Sequence, residues 1–590
     1  MKTTTTRVDP LHPGHLLITG LSLGLPLLLY RARHLDDNTL TSWQWLFNAC
    51  DPTQLYLILL LLSPLFWLLA TAPARLHPFA AGRLSRLDRT GVIFIGREPA
   101  TSRAIALLAF VICLLFLDTP ETIVDSARYF IQAKSLSEYG IVYFFRQWGE
   151  EIFAWTDLPF ISMLYGLLFT LTEEFRLPAQ LLNALFFALT TLLIARLGRE
   201  LWDEETGGNG ALLFLGFPYI YSQTPLLLVD IGTMFFLTLC LYSFQLALTR
   251  GRVHLPLAAA AMVALFWCKF SGWILLSGVG PLLLLQIKQN WRVALQRAAA
   301  VLLMALAGMI AVSLPHLPVI AEQLELLIHF QGPALRHGWK ESLSSTFLFQ
   351  IHPIVTMLLL YSLFRALRRR DLAYAAVSWL VVLLIIVMEI RRIRYTMPIF
   401  PIMALLAGYG LRDLADPGLR RHLLLVVAGS AVLLARGALL PFSQSLAENN
   451  TVMAGRYLDS LELDGEVGML VLSSPEAVLD PRVNLPLLDL FTRRRVYQLP
   501  SYSPASPPEW SKNSPLRFTW EMNLPPFLTD TPRISMPPLL VVISVGDSHK
   551  TALLPKHLTG EFGLLREFSQ PNSTFQHNPR IGVFKQTREP

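Results

Sequence analysis

Few residues in this chain have the chemistry to act on a substrate, and they fall into a small number of places. Asp125, Arg128, Tyr129 and Ala133 spell D-x-x-R-Y-x-x-x-A in "VDSARYFIQAKSL", at the start of a predicted helix. Positions three and four apart share a helix face, so Asp125, Arg128 and Tyr129 can line one cleft. A carboxylate set against apolar walls can serve as a general base towards a hydroxyl or an amine. The same acid also fits a plain helix-terminus role, favoured by the macrodipole. For Asp118 and Glu121, either side of Pro120, the structural account of managing the exit from the membrane is the better one.

Asp230 stands alone in "LLLVDIGTMFFLTLCLYSF" and Lys269 in "FWCKFSGWILL". An acid at an apolar boundary is costly unless exposed or paired, so Asp230 reads either as functional or as an interfacial loop residue. Lys269 equally suits a side chain that snorkels to the interface. Arg391, Arg392 and Arg394, followed by Tyr395, put three guanidinium groups within four residues of "RRIRYTMPIFP". Guanidinium groups bind phosphate oxygens in fixed, often bidentate geometry, so the cluster reads as a phosphate clamp. The alternative is an inverted topology with these arginines inside.

The elements that must position these residues are apolar spans. The chain has 590 residues, 53% hydrophobic and 15% charged, against about a quarter charged in soluble domains. Runs near the length that crosses a bilayer recur at about 15–31, 55–71, 103–118, 178–198, 209–226, 229–249, 256–269, 270–287, 297–316, 345–365, 372–390, 395–412 and 420–441. The fold class is therefore an α-helical polytopic membrane protein with about 13 transmembrane helices. Basic loops fall on one side when the N-terminus is inside, as the positive-inside rule requires. The net charge of +7 is explained by those loops, and nucleic acid is not a predicted partner. Under this topology Asp125, Asp230, Lys269 and the arginine cluster share the outer face. "LPFISMLYGLLFTLT", 158–172, is too short for a full span and reads as membrane-lying or re-entrant.

After Pro441 the composition turns polar and Pro-rich. The predicted division is 1–102, two N-terminal helices and a basic cytoplasmic loop; 103–441, a catalytic membrane region; and 442–590, a small extracytoplasmic α/β domain. In that tail "TVMAGRYLDSLEL" reads as a helix, and "VGMLVLSS", "PPLLVVISV" and "IGVFKQ" as strands. The Pro-rich stretch 500–538 is a long connection that could cover the site. The four cysteines have neither disulfide nor zinc spacing. His329 and His337, eight apart in an amphipathic outer segment at 318–345, match no metal-ligand spacing.

The order of these features resembles the GT-C superfamily of membrane glycosyltransferases, in the branch of protein O-mannosyltransferases and lipid A aminoarabinose transferases. "VDSARYFIQAKSL" is similar to the first outer loop of that family, D-E-x-R-Y-x-x-x-A; "LLLVDIGTMFFLTLCLYSF" to its second-loop Asp; "CKFSGWILL" to T-K-x-x-G; and "RIRYTMPIFPIMALLAGYGL" to R-x-x-R-Y-x-x-P-x-x-P. The resemblance covers roughly 103–412. It implies a sugar donor on a polyprenyl phosphate, Asp125 as the base that activates the acceptor, and inversion at the anomeric carbon. It implies that Lys269, Arg391, Arg392, Arg394 and Tyr395 bind the donor phosphate, with Asp230 shaping the site and Arg128 and Tyr129 supporting the first loop. Ser126 stands where the family often has Glu, which disfavours a paired-acid or metal-assisted variant. No metal ligand is predicted and no cofactor is certain; a divalent cation is compatible but not indicated. Asp157, Leu158 and Pro159 replace the family's Lys-Pro-Pro, which argues against the aminoarabinose substrate in particular. The predicted location is a multi-pass protein of the cell inner membrane with a periplasmic tail. The acceptor is not predicted. A transporter or flippase is the alternative, and it calls for matching broken helices in two halves, a repeat this sequence does not show.

Overall fold

The computed structural model describes residues 12–38, 41–71, 100–117, 119, 123–154, 157–333, 341–445, 449–463, 465–472, 481–499, 524–529, 536–544, 554, 558–570 and 579–587. Asp118, Glu121, His337 and most of the Pro-rich stretch 500–538 lie outside them.

A helical bundle makes up most of the described chain. Its main helices are α1 (Pro13–Ala32), α2 (Pro52–Thr71), α3 (Ala100–Leu114), α4 (Val124–Gln147), α5 (Phe160–Phe169), α6 (Arg176–Leu201), α7 (Glu204–Phe214), α8 (Asp230–Arg250), α9 (His254–Cys268), α10 (Val279–Ser313), α11 (Pro353–Arg369), α12 (Leu372–Val381), α13 (Phe400–Leu411) and α14 (Pro417–Leu434). Among the described residues six helical runs have both the length and the apolarity to cross a membrane. This is a membrane protein. The helix α8 is almost wholly buried, whereas α1 and α2 turn most of their apolar surface outward. The acid Asp230 therefore begins the helix at the centre of the bundle, flanked by α6, α9 and α10.

Local sequence explains where the helices stop. The single span predicted over 209–226 is instead two helices, α7 and Pro218–Gln223. Pro218 has no N–H to continue the ladder and pushes Phe217 out of the helical region, to φ −116°, ψ 84°. Helix α10 folds back at Asn290, which has φ −154°, ψ 89° and whose side chain accepts from the Val293 N–H. The ten residues of α5 span about 15 Å, half the hydrocarbon thickness of a bilayer. Close helix approach relies on small residues: a Cβ on Gly198 of α6 would come within 2.4 Å of the Gly207 Cα on α7.

Helix α4 carries Asp125, Arg128 and Tyr129 and turns at Gly140, whose φ of +83° suits a residue without a Cβ. Its first turns, from Ser126 to Leu136, are buried almost without interruption. A helix buried all round needs a partner on every side. Helix α5 covers one side, and α16 (Pro481–Phe491) covers another. Beyond it, α15 (Asn450–Ser460) and five strands, β1 (Val467–Val471), β2 (Val496–Gln498), β3 (Leu539–Ser544), β4 (Phe562–Phe568) and β5 (Arg580–Gln586), complete an α/β unit. The sheet order is β2-β1-β3-β5-β4, parallel across β2, β1 and β3 and antiparallel from β3 through β5 to β4. The central strands β1 and β3 are buried on both faces, which is why they read as unbroken apolar runs; edge strand β4 is exposed along its middle. Ile131 of α4 packs into the core of this unit with Leu458, Leu485 and Leu488.

Candidate functional site

Asp125, at the half-buried start of α4, meets a guanidinium brought from more than 260 residues later in the chain. Arg394 lies in the one-turn helix Ile393–Thr396, whose opening N–H at Ile393 donates to the buried Glu341 carboxylate at 2.8 Å. From there Arg394 reaches two acids. Its Nη1 donates to Asp125 Oδ2 at 2.8 Å and its Nε to Asp230 Oδ2 at 2.7 Å. The other oxygen of Asp230 accepts from Lys269 Nζ at 2.9 Å. Lys269 sits in the break after α9, with extended backbone, which aims its ammonium back across the end of α8. Its Nζ also lies 3.9 Å from Asp157 Oδ1 and 4.6 Å from the centre of the Tyr395 ring. Asp157 Oδ2 in turn accepts the hydroxyl of Tyr129.

These contacts form one chain of alternating charge: Asp125, Arg394, Asp230, Lys269, Asp157, ending on Tyr129. The side chains of Asp230, Lys269, Arg394 and Asp157 are buried, and that of Asp125 keeps 32% of its surface exposed. Asp125 is thus the acid of the set that a substrate can reach. Burial alone would raise its pKa, but the charge and hydrogen bond of Arg394, helped by Arg128 and Arg392, hold it below the ordinary carboxylate value. Tyr129 is pushed well up, by burial first and then by the nearby Asp157 and Asp125, so it remains a donor. Burial raises Asp157, opposed by Lys269 and by the Tyr129 hydroxyl.

Asp125, Tyr129, Asp230, Lys269, Arg394 and Tyr395, widely separated in sequence, come together here. Arg128 is buried on the same helix turn. Arg392 lies 5.9 Å from the centre of the Tyr395 ring and acts on Asp125 through its charge, and Arg391 lies 3.8 Å from Glu389. Arg394 donates directly to Asp125 and Asp230. Sequence reading placed Asp157 among departures from a family pattern and gave it no role; Glu341 was not singled out. The one signal for Asp157 was an acid two residues before Pro159 at the entry to an apolar helix. Among the described residues no group of three or more His, Cys, Asp and Glu side chains is arranged to hold a metal ion.

An apolar groove of about 450 Å³ is lined by Pro159, Phe160 and Met163 of the α5 entry, Ala260 and Trp267 of α9, and Met304 of α10. Pro159 and Trp267 are each two residues from a member of the charged chain, Asp157 and Lys269.

Apolar helices around a buried charged cluster, with an α/β unit packed on the helix that carries the accessible acid, define a class of membrane protein with a known architecture. The apo structure of ArnT from Cupriavidus metallidurans matches with a TM-score of 0.50 at 14% identity, covering 82% of this chain and 97% of that one. ArnT of the same organism bound to undecaprenyl phosphate gives 0.48 at 13% identity over the same shares. The archaeal oligosaccharyltransferase AglB from Archaeoglobus fulgidus, in complex with an inhibitory peptide and a dolichol-phosphate, gives 0.43 at 12% identity, covering 75% of this chain and 69% of that one. The apo ArnT structure and this chain thus share a fold. No protein-family model and no curated protein sequence matches the chain.

Proposed function

We propose that this protein is a glycosyltransferase that moves a sugar from a polyprenyl-phosphate donor to an acceptor hydroxyl or amine, with inversion, on the outer face of a bacterial-type inner membrane. The observation that carries this reading is the position of Arg394, which holds an exposed carboxylate, Asp125, and a buried one, Asp230, within one hydrogen-bond length of the same guanidinium. A base and a cation for a leaving phosphate are thereby side by side. The resemblance of the four sequence motifs to the GT-C transferases supports the donor class, and the apolar groove lined by Trp267, two residues before Lys269, suits a polyprenyl chain.

The step balances as follows. The acceptor oxygen or nitrogen attacks the anomeric carbon from the face opposite the phosphate, and its proton passes to Asp125. The bond from the anomeric carbon to the phosphate oxygen breaks, and the electron pair leaves with the polyprenyl phosphate. Lys269 and Arg394 stabilise the charge that grows on that oxygen, a preorganised electrostatic role. A phosphate that engages Arg394 competes with Asp125 for the guanidinium, so donor binding loosens the ion pair that weakens Asp125 as a base. Asp230 holds Lys269 and Arg394 in place. The α/β unit packs through α16 against α4, the helix that carries Asp125.

Replacing Asp125 by Asn tests this. It removes the base and keeps the size, and turnover of a polyprenyl-phosphate sugar by the full-length protein falls by about 10²- to 10⁴-fold while donor binding is kept. Turnover at the wild-type rate would remove Asp125 from the reaction and with it this reading.

A further inference from the structure

Within the contact chain carboxylates outnumber cations, while Arg128 and Arg392 act on Asp125 from outside it. Asp125, Asp157 and Asp230 supply three carboxylates, Lys269 and Arg394 two cations. Two of the acids have plain duties. Asp230 binds both cations, at 2.9 Å and 2.7 Å, and Asp125 takes the other arm of Arg394. Asp157 is different. At 3.9 Å from Lys269 Nζ it is beyond hydrogen-bond reach, and Asp230 already holds that ammonium. Its bonded partner is the Tyr129 hydroxyl, one helical turn from Asp125. Asp157 is therefore not needed to anchor Lys269, yet its charge bears on the same cation through a buried environment, where screening by solvent is weak.

We infer that Asp157 is a positioning residue that limits how tightly the site holds a phosphate, and that it favours departure of the polyprenyl phosphate left after transfer. The inference rests on the reading of Lys269 and Arg394 as the donor-phosphate cations. A sugar-linked polyprenyl phosphate is a diester with one negative charge; the product is a monoester, which carries about 1.5 to 2 at neutral pH. A fixed carboxylate beside the cations repels the second more than the first. Asp157 thus acts against product retention with a smaller cost in donor affinity. The bond to Tyr129 fixes where the charge sits, between Lys269 and the helix that carries the base.

The test measures binding of a polyprenyl monophosphate to the full-length, detergent-solubilised protein, with turnover measured in parallel. Asp157→Asn keeps the size and an oxygen that accepts from Tyr129, and removes the charge. The expected result is roughly ten-fold tighter monophosphate binding, on the scale of a single nearby charge, with a lower KM for the donor and a lower kcat as release slows. Asp157→Glu restores the charge and gives looser binding than Asp157→Asn. Tyr129→Phe cuts the tether, leaves the charge, and produces no tightening. A purely structural role predicts the opposite sign, with weaker binding and a raised KM in Asp157→Asn. Wild-type protein that binds the monophosphate together with an Asp157→Asn variant that binds it equally or more weakly would overturn the inference and leave the proposed function standing. If the wild type binds no polyprenyl monophosphate at all, the assignment of Lys269 and Arg394 to a phosphate fails, and the inference fails with it.

Discussion

Asp125 and Asp230 share one guanidinium yet differ in what they can do, and the difference is solvent. Asp230, 2% exposed with both oxygens occupied by cations, has no lone pair facing a substrate; Asp125, at 32%, does. The charge of Arg394 is the main influence that overcomes burial and holds Asp125 low. A base must be ionised to accept a proton, so a group with a depressed pKa stays competent as pH falls, down to that depressed value. In the free protein the acid limb of kcat/KM should therefore lie below the range of an ordinary aspartate. Arg394→Gln removes the largest lowering influence, and burial then dominates. Its acid limb should move to higher pH, on top of an overall loss from the missing cation. A pH profile of kcat/KM in both proteins checks this; an acid limb that stays put, or moves down, would show that another group titrates. Arg394→Lys keeps the charge and should keep most of the depression.

The contact between α4 and α16 joins the bundle to the α/β unit, and one buried ion pair sits in it. Lys134 Nζ lies 3.0 Å from Asp489 Oδ1, with the side chains 12% and 1% exposed. Burial pushes the Lys134 ammonium down, and the Asp489 carboxylate beside it more than restores it. Removing one partner leaves an uncompensated buried charge, a cost of about 3 to 5 kcal/mol, whereas replacing both by apolar groups is often neutral. Asp489→Ala should lower the thermal midpoint of the full-length protein markedly, and Lys134→Met with Asp489→Leu should recover most of the loss. Equal destabilisation by the single and double changes would mean the pair acts through shape alone. This contact also marks the limit of what sequence reveals. The strands β1, β3 and β5 were legible as β-branched apolar runs, because burial on both faces leaves a local signature. The three-residue β2 and the edge strand β4, with charged Arg566 and Glu567 in its middle, carry no such run. Helix ends at Pro218 and Asn290 hinge on single residues inside apolar stretches, which hydropathy averages away. In the site, Asp230 and Lys269 were conspicuous as isolated charges in apolar segments, Asp125 by its spacing to Arg128 and Tyr129, and Arg394 as one of three clustered arginines. Asp157 was not, since its role comes from Lys269, more than a hundred residues later in the chain.

At the scale of the whole molecule, the bundle holds both a charged cluster and an apolar groove whose lining residues Pro159 and Trp267 are close in sequence to Asp157 and Lys269. The groove lies between α5, α9 and α10, and its lining includes the small residues Ala259, Ala260, Ala264 and Gly308. Large side chains elsewhere on these helices point outward, as Leu303 and Leu306 do, so the small residues are where a chain-like ligand finds depth. Each methylene moved from water into such a groove contributes about 0.8 kcal/mol, but a polyprenyl chain already lies in the bilayer, so most of that gain is absent. Under the proposed function the groove would supply orientation, aligning the first isoprene units so that the phosphate arrives at Lys269 and Arg394. Ala260 is exposed on the groove wall, and Ala260→Trp fills the space without touching the charged residues. Its expected effect is a several-fold rise in KM for a long-chain polyprenyl-phosphate donor, with kcat changed little because base and cations are undisturbed. A donor with a chain too short to enter the groove should bind both proteins alike. If long- and short-chain donors lose affinity equally, the change acts on the site and not on the chain path; if neither does, the lipid enters between other helices.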